Sequence, residues 1–423
     1  MIQISFHGAM STVGCSAILI DTGIEKLVLD YGVKPREIPP KFPIPIKGRV
    51  DAVLLSHAHL DHSGALALFF IKGNSTKIYA IDVSKPLTEL LLLDSIKISR
   101  EEGVELPFSK LDVRNTLRNF VDVEYRKSFR LHEAEITFYD AGHIPGSASI
   151  LVETQGKRIF YTGDIKTSNT RLLKKADLNL KDIDYLITES TYADREHLDR
   201  KEQEKELVRL IEEALSRNGI ALVACFAVGR AQEVLLILDK YGIDYPLYMD
   251  GMAKKATTII NSHSHRLRDS KSLDKALEKV EYVKNQRMRK KIIKHPCVIL
   301  TTSGMLQGGP IVWYLKKLHR DTRSSLILTG WQLEETPGKI LLETGRYINQ
   351  KEGLDFEVKM NVKRLDFSAH AGRSELFELV EKISPEKVFC VHGDHTEEFA
   401  FELRERGFDA VAPLANNRVF EIP

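Results

Sequence analysis

The sequence has few cysteines, no long hydrophobic run and almost no net charge. Only four of its 423 residues are cysteine; they form no CxxC pair and three lie in apolar segments, which predicts buried thiols rather than a disulfide framework. The longest apolar run, residues 65–71, is much shorter than the roughly 18 to 20 residues of a membrane helix. We therefore expect no association with a membrane.

The N-terminal segment MIQISFHGAM also lacks the basic and apolar regions of a signal peptide, so a cytoplasmic protein is expected. Apolar residues make up 43% and charged residues 28% of the chain, which is typical of a globular enzyme. The net charge of +2 excludes neither nucleic acids nor small substrates, because local clustering of charge decides such binding. One basic cluster, residues 284–295, is equally compatible with a solvated helix face and with phosphate contact.

The pattern of strands and helices changes twice along the chain. In the first part short β-rich runs dominate, with helices predicted at residues 62–72 and 85–99. Strands and helices then alternate, which indicates crossover connections and a parallel sheet. Near the end short strands return around one helix. The simplest interpretation is an α/β domain, residues 196–360, inserted into a first domain that is formed by residues 1–195 and 361–423.

The heptapeptide SHAHLDH, residues 56–62, places three histidines and an aspartate directly after an apolar run. Alternate residues of an extended segment share a face, so His57 and His59 can aim at one point while Asp61 and His62, at the turn, aim at a neighbouring one. Imidazole and carboxylate ligands together favour zinc or a similar first-row ion over calcium or magnesium. Burying these polar side chains without a partner would be costly. The segment therefore predicts part of a two-metal site.

Three further candidate ligands each follow a β-rich run beside a glycine that permits close backbone approach: His143, Asp164 and His392. We expect Asp164 to bridge the two ions. Two zinc ions that share a carboxylate about 3.5 to 4 Å apart can activate water and bind a phosphodiester. Seven further histidines are predicted to be core or surface residues: His7, His132, His197, His263, His265, His295 and His319. His395 is undecided because it lies three residues from a proposed ligand.

These residues carry a resemblance. SHAHLDH resembles the HxHxDH signature of the metallo-β-lactamase superfamily, and the three further ligands follow in the expected order. TESTYAD, CFAVGRAQEVL, TTSGMLQGGP, DFSAHAG and CVHGDH resemble segments of the β-CASP nucleases, and similarity of this kind covers nearly the whole chain. The fold class that the resemblance implies is α/β: a four-layer αβ/βα metallo-β-lactamase sandwich with an inserted parallel-sheet β-CASP domain.

Within the β-CASP nucleases, the histidine of SAHAG looks closer to the endonuclease subunit of the cleavage and polyadenylation specificity factor and its archaeal relatives than to RNase J. The chain resembles the short archaeal form without KH domains. One departure is Thr12, where relatives usually carry glutamate, which affects a local contact near the site but not the metals. Relatives often dimerise, so a homodimer is a further expectation.

The resemblance also implies a reaction, the zinc-dependent hydrolysis of single-stranded RNA. Glu189, His370 and His392 match the A, B and C motifs of the β-CASP group. The hypothesis is that water activated at two zinc ions attacks the phosphodiester while His370, oriented by Glu189, protonates the leaving 3′ oxygen. The product would carry a 5′ phosphate. The metal ligands implied are His57, His59, Asp61, His62, His143, Asp164 and His392, with Asp61 also counted as catalytic.

Residues for substrate binding are expected in the inserted sheet, because open α/β sheets bind ligands just beyond their strands. Arginine can bind a phosphate with two donors, and glycine-rich turns expose backbone N–H groups. The residues predicted to contact RNA are Arg230, Ser303, Gly304, Gly308, Gly309 and Ser368.

An alternative is a small-molecule hydrolase, of thioesterase or lactamase type, on the same metal site. That activity would leave the inserted domain and His370 without a role. Internal cleavage and cleavage from a 5′ end are both compatible with the residues present.

Overall fold

The chain passes between two structural units. A computed structural model describes residues 1–34, 39–71 and 75–423. The first unit contains residues 1–169, 174–196 and 370–423, and the second contains residues 170–173 and 197–369. The second unit is therefore an insertion in the chain of the first.

Two seven-stranded sheets form the centre of the first unit. The strands of one sheet are β1 (Ile2–Phe6), β2 (Ile18–Asp21), β3 (Lys26–Leu29), β4 (Ala52–Leu54), β5 (Lys77–Ile81), β6 (Phe120–Val123) and β22 (Val419–Ile422). They lie in the order β22-β1-β2-β3-β4-β5-β6. The other sheet contains β7 (Phe129–Leu131), β8 (Ala134–Asp140), β9 (Ala148–Thr154), β10 (Lys157–Tyr161), β11 (Tyr185–Glu189), β20 (Lys387–Val391) and β21 (Ala410–Val411). Its order is β21-β20-β11-β10-β9-β8-β7.

The two sheets face each other across an apolar interior. The ring of Phe6 in β1 lies 5.3 Å from that of Phe389 in β20, and Phe389 lies 5.0 Å from Phe420 in β22. Strands β4 and β11 are buried along their whole length, and β20 is buried except at its first residue, Lys387, as expected for strands covered on both faces. The sheets thus form the two inner layers of a sandwich.

Helices cover the outer faces of this sandwich. On the first sheet lie α1 (Leu60–Ser63), α2 (Ser84–Glu101), α3 (Lys110–Arg118) and the 3-10 helix Leu66–Phe70. Helix α3 begins at a capping box, in which Ser109 accepts from the Asp112 N–H and Asp112 accepts from the Ser109 N–H. On the second sheet lie α11 (Arg373–Ile383) and α12 (Thr396–Glu405). The helix–sheet–sheet–helix order is the predicted four-layer arrangement.

The second unit is built on a six-stranded sheet whose paired strands are all parallel. Its strands are β12 (Ile220–Ala224), β13 (Leu247–Met249), β14 (Val280–Tyr282), β15 (Cys297–Thr301), β16 (Ser325–Leu328) and β19 (Asn361–Arg364), in the order β14-β13-β15-β12-β16-β19. A hairpin of β17 (Arg346–Asn349) and β18 (Leu354–Glu357) stands apart from the sheet. The helices are α4 (Arg200–Ser216), α5 (Arg230–Tyr241), α6 (Ala253–Ser262), α7 (Ser272–Leu277), α8 (Gln286–Ile292), α9 (Pro310–Leu318) and α10 (Pro337–Thr344), with 3-10 turns at Ser264–Arg266 and Gln350–Glu352.

The structure differs from the predicted elements in two places. The helix predicted at residues 62–72 is instead the single turn α1 followed by the 3-10 helix Leu66–Phe70, while Lys72 lies outside the described residues. Helix α1 ends at Gly64, and the backbone of Ala65 departs from the α-helical conformation before the 3-10 helix begins. The sequence pattern placed the end of the inserted domain at residue 360. Strand β19 (Asn361–Arg364) pairs with β16, so the chain leaves the inserted sheet later than that. No glycine or proline breaks the sequence between β19 and the following DFSAH segment, so composition gave no signal there.

The cysteines bear out an expectation from composition. All four cysteines are free and buried, and burial raises the pKa of the Cys225 thiol to about 12. Within the ranges that the structure describes, no helix combines the length and apolar character needed to cross a membrane.

Candidate metal centre

The HxHxDH segment leaves the first sheet at the end of β4 and turns into α1. His57 is fully buried after the strand, His59 is the N-cap of the helix, and the N–H groups of His62 and Ser63 both donate to its carbonyl. A side chain at Gly32 would collide with the carbonyl oxygen of Asp61, so this turn requires glycine beside it. Alternation had predicted that His57 and His59 aim at one point and that Asp61 and His62, at the turn, aim at a neighbouring one.

The remaining predicted ligands come from one edge of the second sheet. Strands β8, β10, β11 and β20 run in the same direction, so the segments that follow them meet at that edge. His143 follows β8, Asp164 follows β10, Glu189 ends β11 and His392 follows β20. His370 lies three residues before α11. Residues more than three hundred positions apart are thereby brought together.

Asp164 stands between two groups of imidazoles. Its Oδ2 atom lies 3.4 Å from Nε2 of His57 and 3.6 Å from Nε2 of His143. Its Oδ1 atom lies 3.2 Å from Nε2 of His62 and 3.6 Å from Nε2 of His392. Each carboxylate oxygen therefore faces a different pair of nitrogen donors, which is the arrangement of a bridging ligand.

The other predicted donors complete the two groups. His59 Nδ1 lies 3.1 Å from His143 Nε2, and Asp61 Oδ2 lies 3.7 Å from His392 Nε2. Among the residues that the structure describes, donor atoms mutually within 4.8 Å occur in four sets: His57, His59, His143 and Asp164; His57, Asp61 and His62; His62, Asp164 and His392; and Asp164, Glu189 and His370. All seven predicted metal ligands belong to at least one of these sets.

The donor atoms fit a metal ion by their spacing and by their lack of other partners. Tetrahedral coordination at a zinc–nitrogen distance of about 2.0–2.1 Å separates neighbouring donor atoms by roughly 3.3 Å, close to the separations found here. Nε2 of His57, of His62 and of His392 and Oδ1 of Asp164 are buried without a hydrogen-bond partner. Buried polar atoms are rarely left unsatisfied, so the cluster fits a metal ion that these atoms could bind.

The electrostatics of the cluster favour a cation. Burial, reinforced by the neighbouring His62, lowers the pKa of His57 well below its ordinary value, which keeps a lone pair available. Burial alone would lower the pKa of His62, but the carboxylates of Asp164 and Asp30 raise it well above its usual range. The centre thus attracts a positive charge, which a metal ion can supply in place of a proton.

Asp30, which sequence reasoning missed, supports the cluster from behind. Nδ1–H of His62 donates to Oδ2 of Asp30 over 2.7 Å, which leaves Nε2 directed at Asp164. The hydroxyls of Ser56 and Tyr161 donate to the same Asp30 oxygen over 2.6 and 2.8 Å. Such carboxylate–histidine contacts fix the tautomer and orientation of a metal ligand. The available signal was an aspartate ending the apolar run KLVLD, but no motif marked it.

We expect Asp30→Asn to weaken metal binding by about 10- to 100-fold, because His62 loses its anionic hydrogen-bond partner. Zinc affinity, measured by competition with a chromophoric chelator, checks this. Tyr161→Phe is the matched control, since it removes one hydrogen bond to Asp30 but leaves the His62 contact. Wild-type affinity in the asparagine variant would show that His62 does not depend on Asp30.

His370 and Glu189 form a pair beside the cluster. Nδ1 of His370 lies 2.9 and 3.1 Å from the two carboxylate oxygens of Glu189, and its Nε2 lies 4.0 Å from Oδ2 of Asp164. Glu189 is buried and also accepts the backbone N–H of Ile165 over 2.7 Å, which fixes its position. Burial would lower the pKa of His370, but the charge of Glu189 raises it. The pair can hold a proton at a fixed place.

The residues predicted to contact substrate all lie in the second unit, after strands of its parallel sheet or close to them. Arg230 begins α5 and donates from its guanidinium to the carbonyl of Thr329. Ser303 Oγ accepts the N–H groups of Gln307 and Gly308, and Gly309, with φ +77, is the N-cap of α9. Gly304 and Ser368 are buried, and the Ser368 N–H donates to Asp366. These contacts organise the loops.

Three other sequence features have clear positions. Arg289 of the basic cluster is paired with buried Asp250, whereas Lys290 and Lys291 are exposed. Thr12 accepts a hydrogen bond from Nζ of Lys34 over 3.1 Å, so the departure from glutamate lies beside a lysine. His395 is half-exposed, 3.8 Å from Asp194, and belongs to none of the four donor sets found among the described residues.

Three protein families match the chain in succession. The Beta-lactamase superfamily domain matches residues 16–215, the Beta-Casp domain residues 231–341, and the Zn-dependent metallo-hydrolase RNA specificity domain residues 355–413. A crystal structure of a protein of unknown function from Enterococcus faecalis V583 has a TM-score of 0.63 at 15% identity, over 100% of both chains, which shows a likeness of fold.

Relatives of similar sequence extend over nearly the whole chain. Probable RNase MJ4 of Methanocaldococcus jannaschii is 41% identical, over 99% of both chains. RNase aCSPSF2 of Saccharolobus solfataricus is 36% identical, over 96% of this chain and 82% of that protein. Transcription termination factor FttA of M. jannaschii is 32% identical, over 95% of this chain and 69% of that protein.

The histidine and aspartate cluster and the matching families define a metallo-hydrolase of the metallo-β-lactamase fold. The insertion defines the class further. The chain belongs to the β-CASP family of metal-dependent ribonucleases, so the predicted fold class and family are confirmed.

Proposed function

We propose that the chain hydrolyses phosphodiester bonds of single-stranded RNA with two zinc ions, leaving a 5′ phosphate and a 3′ hydroxyl. The observation that carries the proposal is the position of Asp164, whose two oxygens face separate pairs of imidazoles, with the His370–Glu189 pair alongside. That RNA is the substrate is supported by the RNA specificity domain match and by relatives that are called RNases.

The two zinc ions would be held by separate donor sets that share Asp164. His57, His59 and His143 would hold one ion on the Oδ2 side. Asp61, His62 and His392 would hold the other on the Oδ1 side. Bound there, the ions would supply Lewis acidity for activating water and neutralising phosphate charge. A donor set rich in imidazole and with only two carboxylates favours zinc over magnesium.

The chain's own residues would move two protons. As water oxygen bonds to phosphorus, Asp61, whose side chain is 26% exposed, accepts the proton that the water loses. The bond from phosphorus to the 3′ oxygen breaks, and Nε2–H of His370 protonates that oxygen. Glu189 accepts Nδ1–H, which orients the ring and holds it in the protonated form. The products then carry a 5′ phosphate and a 3′ hydroxyl.

The loops of the second unit would bind the RNA backbone. Arg230 offers guanidinium donors that suit phosphate oxygens, and the glycine-rich turn from Ser303 to Gly309, at the start of α9, is proposed to lie against the backbone. Ser368, in the DFSAH segment, is proposed as a further contact.

We propose the domain division that the sequence pattern predicted, with one change: the inserted unit also includes β19. A homodimer remains a prediction that light scattering at several concentrations would test.

Incubating the zinc-loaded protein with end-labelled single-stranded RNA, a circular RNA, a chromogenic β-lactam and a thioester tests the proposal. We expect cleavage of RNA that stops with a chelator and returns with zinc. The new 5′ ends of the products should be open to ligation without prior phosphorylation. Opening of the circle would identify an endonuclease. Turnover of the thioester or the β-lactam with intact RNA would contradict the proposal.

A further inference from the structure

The parallel sheet of the second unit has a point where its connections reverse direction. From β12 the chain runs through α5 to β13 on one side, whereas from β15 and β16 it runs through α9 and α10 toward the opposite side. Ligands of open α/β sheets bind beyond the carboxyl ends of the strands at such a point. Contacts with the substrate are therefore expected in the segments that follow β15, β12, β16 and β19.

Two partly exposed aromatic side chains lie in these segments, whereas Phe367, after β19, is buried. Phe226 follows β12 and Trp331 follows β16, and both remain partly exposed. A Cβ atom added at Gly304 would lie 3.4 Å from Cδ1 of Phe226, and one added at Gly330 would lie 3.4 Å from its Cε2. The Phe226 ring thus lies between two positions that have no side chain, Gly304 after β15 and Gly330 after β16.

Arginines accompany both aromatic rings. The guanidinium carbon of Arg364, the last residue of β19, lies 4.7 Å from the centre of the Trp331 ring, and Arg364 is exposed. Nη1 of Arg230 would lie 2.9 Å from a Cβ at Gly330, which places this cation beside Phe226. Across β15, β12, β16 and β19 the carboxyl edge therefore carries glycine, phenylalanine, tryptophan and arginine in order.

Planar groups next to cations suit the bases of a single strand. Unpaired bases stack on aromatic rings and on arginine guanidinium planes, while the cations attract the adjoining phosphates. In a duplex the base faces are already covered by neighbouring base pairs.

We propose that Phe226, Trp331 and Arg364 form a base-stacking platform that selects single-stranded over duplex RNA. The proposal rests on the proposed function, because it names how the same substrate is held. None of the three residues belongs to the metal centre or to the predicted phosphate contacts. Their role is to bind the substrate in a way that tolerates any base sequence, because every base has a π face.

Kinetics on matched substrates test the platform. Trp331→Ala should raise KM for single-stranded RNA by roughly 5- to 100-fold, as expected for one lost stacking contact, with little change in kcat or zinc content. Trp331→Phe should recover most of the loss. Trp313→Ala is the matched control, since the chain has only two tryptophans and Trp313 lies in α9. On RNA that contains a run of abasic residues, the wild type and Trp331→Ala should have the same KM.

Fluorescence gives a second readout that survives if Trp331→Ala fails to fold. In a His370→Ala background, Trp313→Phe leaves Trp331 as the only tryptophan, and oligouridylate should quench its emission. Trp331→Phe should show no such quenching. Unchanged emission, or an equal KM increase on normal and abasic RNA, would overturn the platform. Absence of RNA cleavage by the wild type would instead contradict the proposed function, so failure of the platform and failure of the proposed function are distinguishable.

Discussion

Replacing Asp164 with asparagine is expected to lower kcat/KM for single-stranded RNA by at least about 10³-fold. Asparagine keeps the shape of the side chain but has only one oxygen, so it cannot present an anionic ligand atom to both imidazole groups. Metal-derived stabilisation of the transition state amounts to several kcal/mol, and each 1.4 kcal/mol corresponds to about tenfold in rate. The loss of one negative charge would also leave the cluster with fewer anions to hold two cations.

Metal analysis and kinetics together check this prediction. We expect Asp164→Asn to retain fewer zinc ions per chain than the wild type after gel filtration. The control is Asp177→Asn, which removes a carboxylate paired with Arg126 at the surface of the same unit and should leave both zinc content and cleavage unchanged. An Asp164→Asn protein with wild-type activity would show that this carboxylate is not a bridging ligand.

His370→Ala is expected to lower kcat for single-stranded RNA by about 10²- to 10⁴-fold while the zinc content stays the same. The imidazole lies 4.0 Å from Asp164 but is paired through its other nitrogen with Glu189, so its loss removes a proton donor and leaves the seven proposed ligands. His395→Ala is the matched control, because His395 is a nearby histidine outside the donor sets and its removal should have little effect.

A substrate with a better leaving group separates proton donation from a structural role. In RNA with sulfur in place of the bridging 3′ oxygen, the leaving group departs as a thiolate, which needs no proton. We expect His370→Ala to cleave this substrate at a rate close to that of the wild type. An equally large loss on the oxygen and sulfur substrates would mean that His370 acts in some other way.

The sequence predicted the donor set of the centre because the signals were local. In SHAHLDH, alternation and one helical turn determine where four side chains point, so the geometry follows from seven residues. His143, Asp164 and His392 were recognisable because each follows a strand beside a glycine, and parallel strands end at one edge of a sheet.

Other features could not be predicted because they depend on tertiary contacts. Asp30, which follows β3, accepts a hydrogen bond from His62 in α1, and an aspartate after an apolar run is common at strand ends. The 3-10 helix Leu66–Phe70 has the apolar pattern of an α-helix. The sequence did not show that α1 would end at Gly64 and that a tighter helix would follow it. The pairing of β19 with β16, and with it the contact between Arg364 and Trp331, required the order of strands in the sheet.

The central claim is that Asp164 holds two metal ions between two groups of histidines. Anomalous diffraction at the zinc absorption edge, from crystals of protein that cleaves RNA, tests it most directly. We expect two peaks about 3.5 to 4 Å apart, one beside Oδ2 of Asp164 near His57 and His143, and one beside Oδ1 near His62 and His392. A single peak, or no peak, in active protein would contradict the account.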